Sequence, residues 1–232
     1  MTFNNKRNND IYLLKGRSKS PFHPLDREIL SKNGRHRLKK TERGLLEISQ
    51  PIGFKAKEDQ TQIDIFERLT NWIITEDWGV LSFDDEPGRS YKAVVQNSMD
   101  DFEKMAWLRQ GTLQFIAKDT LGADKTLNIG TEFKTHTITG QVKTPWISRT
   151  RFTVPQEKYI LETNKGIKII LNYDFIAGDV LEIDYETRGV FLNGKDLAVS
   201  VDLKTVWFEL KPGNVQIKAS HPTELTYTEI YY

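Results

Sequence analysis

From about residue 151 to the C-terminus, short apolar runs recur at roughly ten-residue intervals, a rhythm that belongs to antiparallel sheets rather than helices. The runs are IKIILNY (167–173), VLEIDY (180–185), GVFL (189–192), VWFEL (206–210) and the segments 214–219 and 225–232. No stretch among them has apolar residues at helical spacing. Two turn signals sit between the runs. Asn193-Gly194 lies between Phe191-Leu192 and Lys195-Asp196, and this dipeptide tolerates the positive φ angles of a type I′ hairpin. Lys211-Pro212-Gly213-Asn214 suits a type II turn, with Pro fixing φ and Gly taking a positive one. The C-terminal hundred or so residues are therefore expected to form an all-β antiparallel sandwich.

The first half of the chain reads as strands carrying a single helix. Residues 11–14 (IYLL) are a brief apolar run, Asn33-Gly34 is a turn, and residues 45–54 (LLEISQPIGF) are strand-like. Pro51 lacks a ladder donor, which points to a sheet edge or a bulge. Ile63, Phe66, Leu69, Trp72 and Ile73 share one face at helical spacing, predicting a helix near 62–75 with Thr61 as its cap. Strands are expected at 79–83, 91–96 and 113–117. The Thr-, Gly- and Lys-rich stretch 122–148 reads as a linker or extended crossover. The expected division is an N-terminal domain over 1–135 with one helix near 62–75, followed by a sandwich over 136–232.

Composition removes whole classes of function. None of the 232 residues is Cys, which excludes disulfides, thiolate metal sites and a cysteine nucleophile. No apolar run approaches the roughly 18 residues of a membrane helix, mean hydropathy is −0.52, and the first ten residues have no apolar core of a secretion signal. A soluble, cytoplasmically made protein is expected.

The net charge of +1 conceals a segregated pattern. Residues 1–60 carry 14 basic and 7 acidic side chains, residues 61–124 carry 6 and 12, and the remainder carries 13 of each. Such a split fits either pairing within the chain or separate faces for separate partners. The most concentrated charge is GRHRLKKTER (34–43), with Arg35, Arg37, Lys39, Lys40 and Arg43. It lacks interleaved aromatics for base stacking, so a loop or arm meeting an acidic protein surface is the favoured reading over nucleic acid.

Catalytic and ligand motifs are missing. His23, His36, His136 and His221 are far apart in sequence and read as solvated loop histidines. No phosphate-binding glycine loop, nucleophile elbow or HExxH helix occurs. Asp84-Asp85-Glu86-Pro87-Gly88 lacks the alternating ligands of a calcium loop. No metal or cofactor is expected. Among Trp72, Trp78, Trp107, Trp146 and Trp207, Trp72 and Trp207 read as core residues.

Three stretches, in order, resemble the distal tail proteins (Dit) of siphophages infecting Gram-positive bacteria, within the siphovirus tail-component family. The first is GRSKSPFHPLDREILSKNGRHRLKKTERGLLEISQPIGF (16–54). The second is the predicted helix followed by GVLSFDDEPGRSYKA (79–93). The third combines AGDVLEID (177–184), FLNG (191–194) and WFELKPGN (207–214). The chain departs from the family pattern at Asn214, which follows Gly213 directly, and at Arg35-His36-Arg37, where a more neutral turn is expected.

The resemblance implies a mainly β protein: an N-terminal β-sandwich-like domain with one helix, followed by a C-terminal galectin-like antiparallel β-sandwich. It implies a non-enzymatic role at the phage tail tip, within the virion. Six copies would form a ring joining the tail tube to the tail-associated fibre or lysin and the baseplate, with a channel for DNA. The expected partners are other copies of the chain, the tail tube protein, the tail-associated lysin or fibre hub protein and the tape measure protein. The alternative is a carbohydrate-binding adhesion module that uses the C-terminal sandwich. A cyclic ring needs two different complementary faces per subunit. The basic residues Arg35, Arg37, Lys39, Lys40 and Arg43 are therefore expected at a subunit or partner interface. Asp84, Asp85, Glu86, Asp100, Asp101 and Glu103 are expected on the channel wall, repelling DNA phosphates.

Overall fold

The computed structural model describes residues 1–98, 103–105 and 107–232, with side chains 97, 98, 104 and 105 left aside. It divides into two compact units, residues 1–121 and 122–231.

The first unit contains β1 (Thr2–Phe3), β2 (Ile11–Leu13), β3 (Ser18–Lys19), β4 (Leu25–Lys32), β5 (Arg35–Arg43) and β6 (Leu46–Lys55). After these come α1 (Asp59–Ile73), β7 (Gly79–Ser82), β8 (Ser90–Ser98), β9 (Glu103–Met105) and β10 (Leu108–Ile129), which runs on into the second unit. β6 and β8 flank β10 antiparallel. Pro51 sits inside β6 opposite Thr112, and its missing N–H falls where the outer neighbour changes. β2 pairs with Phe54, Gly53 and Ile52, and β3 resumes at Ser49 and Ile48.

The helix begins at Asp59, preceded by Glu58, so Thr61 lies inside the first turn and is not its cap. Its buried residues are Ile65, Leu69 and Ile73, at i, i+4 and i+8. Phe66 and Trp72 flank them, and Ile63 faces solvent. Leu69 and Ile73 join a core built on Phe3, Ile48, Ile52, Leu81 and Phe115, and Ile65 packs with Phe54.

The second unit is a two-sheet sandwich. Its remaining strands are β11 (Lys134–Ile138), β12 (Trp146–Arg151), β13 (Gln156–Thr163), β14 (Lys168–Phe175), β15 (Val180–Asp184), β16 (Gly189–Leu192), β17 (Lys195–Asp196), β18 (Gly213–Ala219) and β19 (Thr223–Tyr231). One sheet runs from the end of β10 through β19, β12, β15 and β16 to β17, and the other is ordered β11-β18-β13-β14. Stretch 122–148 is thus no linker, because it supplies the end of β10, all of β11 and the start of β12. Val206 to Glu209 form no strand, and only Leu210 bridges, to Thr144. Asn193 and Gly194 take φ of 51° and 78°, the positive pair that the tight hairpin needs. The core centres on Trp146, which donates its indole N–H to the Phe208 carbonyl at 2.8 Å.

Candidate functional site

β4 and β5 form a sheet of their own, paired only with each other. Their turn is Asn33-Gly34, with φ of 50° and 74°, and the register pairs Ile29 with Leu38 and Leu30 with Arg37. Every residue from Asp26 to Glu42 is exposed. Ile29, Leu30 and Leu38 are each at least half exposed, at 57%, 50% and 55%. A two-stranded ribbon that pairs with no other strand among the described residues is marginal in water, and exposed apolar side chains on such a ribbon suit it to meet another surface.

The basic residues singled out from the sequence all lie on β5, which is a strand and not a loop. Arg35 and Arg37 make no ion pair among the described residues. Lys39 donates to Glu28 at 2.6 Å, and Lys40 pairs with Glu42 on the same strand. Arg43, at the foot of the ribbon, is half-buried against Asp119. One extra residue at Lys118 breaks the register between β8 and β10. This bulge shifts the alternation, so Asp119 meets Arg43 and Thr120 turns inward.

The foot of the ribbon is fastened by His23, which is fully buried and not a solvated loop residue. Its Nδ1 lies 3.0 Å from the Gly44 carbonyl and its Nε2 3.1 Å from Thr120 Oγ1. A carbonyl only accepts, so Nδ1 carries the proton and the Thr120 hydroxyl donates to Nε2. The Gly44 N–H donates to the Pro24 carbonyl at 2.8 Å. Burial, together with the nearby Arg43, lowers the imidazole pKa, and the hydrogen bond to the Gly44 carbonyl and the charge of Asp119 only partly offset this. His221 is also buried, against Phe152, while His36 is exposed and His136 lies half-buried on β11.

Three of the expected channel carboxylates, Asp84, Asp85 and Glu86, have cationic partners within the chain. Asp84 meets the Met1 ammonium at 3.4 Å and also Arg7, and Asp85 meets Arg17. Glu86 takes Lys19 at 2.8 Å and Arg17 at 3.5 Å, and accepts from the Tyr91 hydroxyl. Burial alone would raise the Glu86 carboxyl. Hydrogen bonds from Lys19 and Tyr91, with the charges of Lys19 and Arg17, hold it below its usual value. Glu103 accepts from Gln110 at 2.7 Å, and Asp100 and Asp101 lie outside the described residues. No three His, Asp or Glu side chains converge in a metal-holding group among the described residues. Trp72 and Trp207 are partly buried against the two cores, Trp146 is fully buried and Trp107 is exposed.

Residues 139–231 match the family model described as siphovirus-type tail component, C-terminal domain. Over 181 residues the chain is 29% identical to the distal tail protein of Bacillus phage SPP1, covering 74% of this chain and 71% of the relative. The crystal structure of SPP1 Dit, titled a paradigm of the hub adsorption apparatus in phages infecting Gram-positive bacteria, superposes with a TM-score of 0.84. That match has 16% identity and covers 100% of this chain and 98% of the other. A chain of the phage P2 baseplate, in its activated conformation with calcium, follows with a TM-score of 0.60, 7% identity and coverage of 96% and 91%. By these matches the chain is similar to phage distal tail proteins, and its residues 139–231 are similar to the C-terminal domain of siphovirus-type tail components.

Proposed function

We infer that the chain is a non-enzymatic structural hub at the tip of a phage tail. In this reading six copies close into a ring around a channel for DNA and join the tail tube to the tail-associated fibre or lysin and the baseplate. The tape measure protein is a further partner in this reading, and assembly occurs in the host cytoplasm before the ring becomes part of the virion. The observation that carries the reading is the β4–β5 ribbon, which exposes Ile29, Leu30 and Leu38 beside Arg35 and Arg37, which have no ion pair among the described residues. A ring subunit must offer two different complementary faces. The ribbon supplies a basic apolar one. Glu67, Glu76 and Asp77, in and just after α1, make no ion pair among the described residues and supply an acidic one. Asp84, Asp85 and Glu86 contribute little net field to a channel wall because each already has a cationic partner. Their role here is to tie the N-terminal segment to the turn after β7.

Replacing Arg35, Arg37, Lys39 and Lys40 together by Glu and measuring mass by light scattering tests this. The wild-type chain is expected at six copies or a multiple, and the variant at one. A variant of unchanged mass overturns the interface.

A further inference from the structure

In the second unit, the sheet running from the end of β10 to β17 turns one face to the sandwich core and the other to solvent. Strand alternation puts every second residue on that open face. The register then aligns four of them in one row: Phe191 opposite Glu182, Glu182 opposite Arg149, and Arg149 opposite Glu224. Arg151 and Val180 form the neighbouring row. The surface is concave here. Two adjoining hollows of about 450 Å³ and 510 Å³ share Arg149 and Val180 as a common wall. The Asn193-Gly194 turn forms one rim, held by the Asn193 side chain, which accepts from the Val180 N–H at 2.9 Å and donates to Asp179 at 2.8 Å.

Arg149 stands between two carboxylates on adjacent strands, yet neither it nor Arg151, Glu182 or Glu224 makes an ion pair or side-chain hydrogen bond among the described residues. The row therefore presents an unused guanidinium fork and unused carboxylates. Both are planar groups that can each engage two hydrogen-bonding atoms at once. Phe191, half-buried, places an aromatic ring at the end of the same row.

We propose that this open face is a binding groove for neutral oligosaccharides. Neighbouring sugar hydroxyls both donate and accept, and the Glu182–Arg149–Glu224 row offers acceptor, donor and acceptor in sequence. The Phe191 ring offers an apolar surface for the C–H face of a pyranose. Two arginines and two glutamates sum to zero charge, which gives no attraction to a polyanion. Each hollow lies within the roughly 300–1,000 Å³ of small-molecule sites, and together they form a trough longer than one sugar. The groove lies apart from the β4–β5 ribbon in sequence and belongs to the other unit, so it stands whether or not the ring reading does.

The test uses the labelled full-length chain on an array of neutral glucans, galactans and N-acetylhexosamine oligomers, with anionic polysaccharides alongside. Titration calorimetry then follows on the best neutral binder. Saturable binding of a neutral oligosaccharide is expected, weakened at least tenfold in Arg149→Met and in Phe191→Ala. Because Arg149 is exposed, Arg149→Met is expected to keep the wild-type unfolding temperature and the wild-type mass by light scattering. Absence of neutral-glycan binding, binding only to anionic polymers, or full binding in both variants overturns the proposal.

Discussion

The buried imidazole of His23 donates to the Gly44 carbonyl at 3.0 Å, a bond between the two ends of an exposed basic ribbon, and its other ring nitrogen ties them to Thr120 of β10. Because burial lowers its pKa in the folded state, the folded chain favours neutral His23 and the unfolded chain binds the proton more readily. Its contribution to stability is therefore complete above the ordinary value of about 6.5 and is lost as pH falls towards the lowered one. The unfolding temperature is expected to drop between pH 7.5 and 5.5, and to drop less in His23→Gln. His136 shares the downward direction, so the difference between wild type and His23→Gln isolates His23. Parallel curves would show that the ribbon's foot does not sense pH.

Glu86 works in the opposite charge sense. Its folded carboxyl is held below the usual 4.5, so its stabilisation is present above that value and is lost as pH falls through the lowered one. Lys19 and Tyr91 converge on it, and Lys19 also donates to Tyr91. Glu86→Gln is expected to cost about 0.5–1.5 kcal/mol at neutral pH, discounted for partial exposure. The gap from wild type should narrow in acid. Urea titrations at pH 7 and pH 3.5 give both numbers.

Trp146 anchors the second unit by packing and by its bond to the Phe208 carbonyl. Trp146→Ala is expected to cost about 3–5 kcal/mol through the cavity it leaves. Trp146→Phe is expected to cost about 1–3 kcal/mol, since a buried carbonyl loses its donor. Thermal unfolding ranks the two. Equal stability of both with wild type would remove Trp146 from the core's supports.

Strands and turns that announce themselves locally were legible in the sequence: the ten-residue rhythm, Asn33-Gly34, Asn193-Gly194 and Gly213 all act through residues next to each other. The misreadings share one cause, partners distant in the chain. His23 looks like a loop histidine until Thr120, 97 positions away, arrives beside it. Stretch 122–148 looks like a linker because strands with one solvated face need only alternate apolar residues, here Leu127 and Ile129 within β10. Ile63 and Ile65 are equally apolar, so only packing on Phe54 decides that Ile65 is the inward one. Of the site, the basic residues were visible by composition. The ribbon's isolation from the core was not, because it depends on what β4 and β5 fail to touch.

That isolation supplies the sharpest prediction about assembly. Ile29 and Leu38 face each other across the ribbon and are both more than half exposed, so truncating them removes little burial from an isolated chain. Ile29→Thr with Leu38→Thr places β-branched, strand-compatible side chains at both positions. As surface changes, they are expected to move the stability of the single chain by no more than about 0.5 kcal/mol. If the ribbon docks on another copy, the same pair becomes buried there, and losing it falls on association alone. The double variant is then expected to sediment as a single chain at concentrations where the wild type is an assembly, with unchanged circular dichroism. An assembly that survives the double substitution would mean that the apolar ribbon serves a different partner.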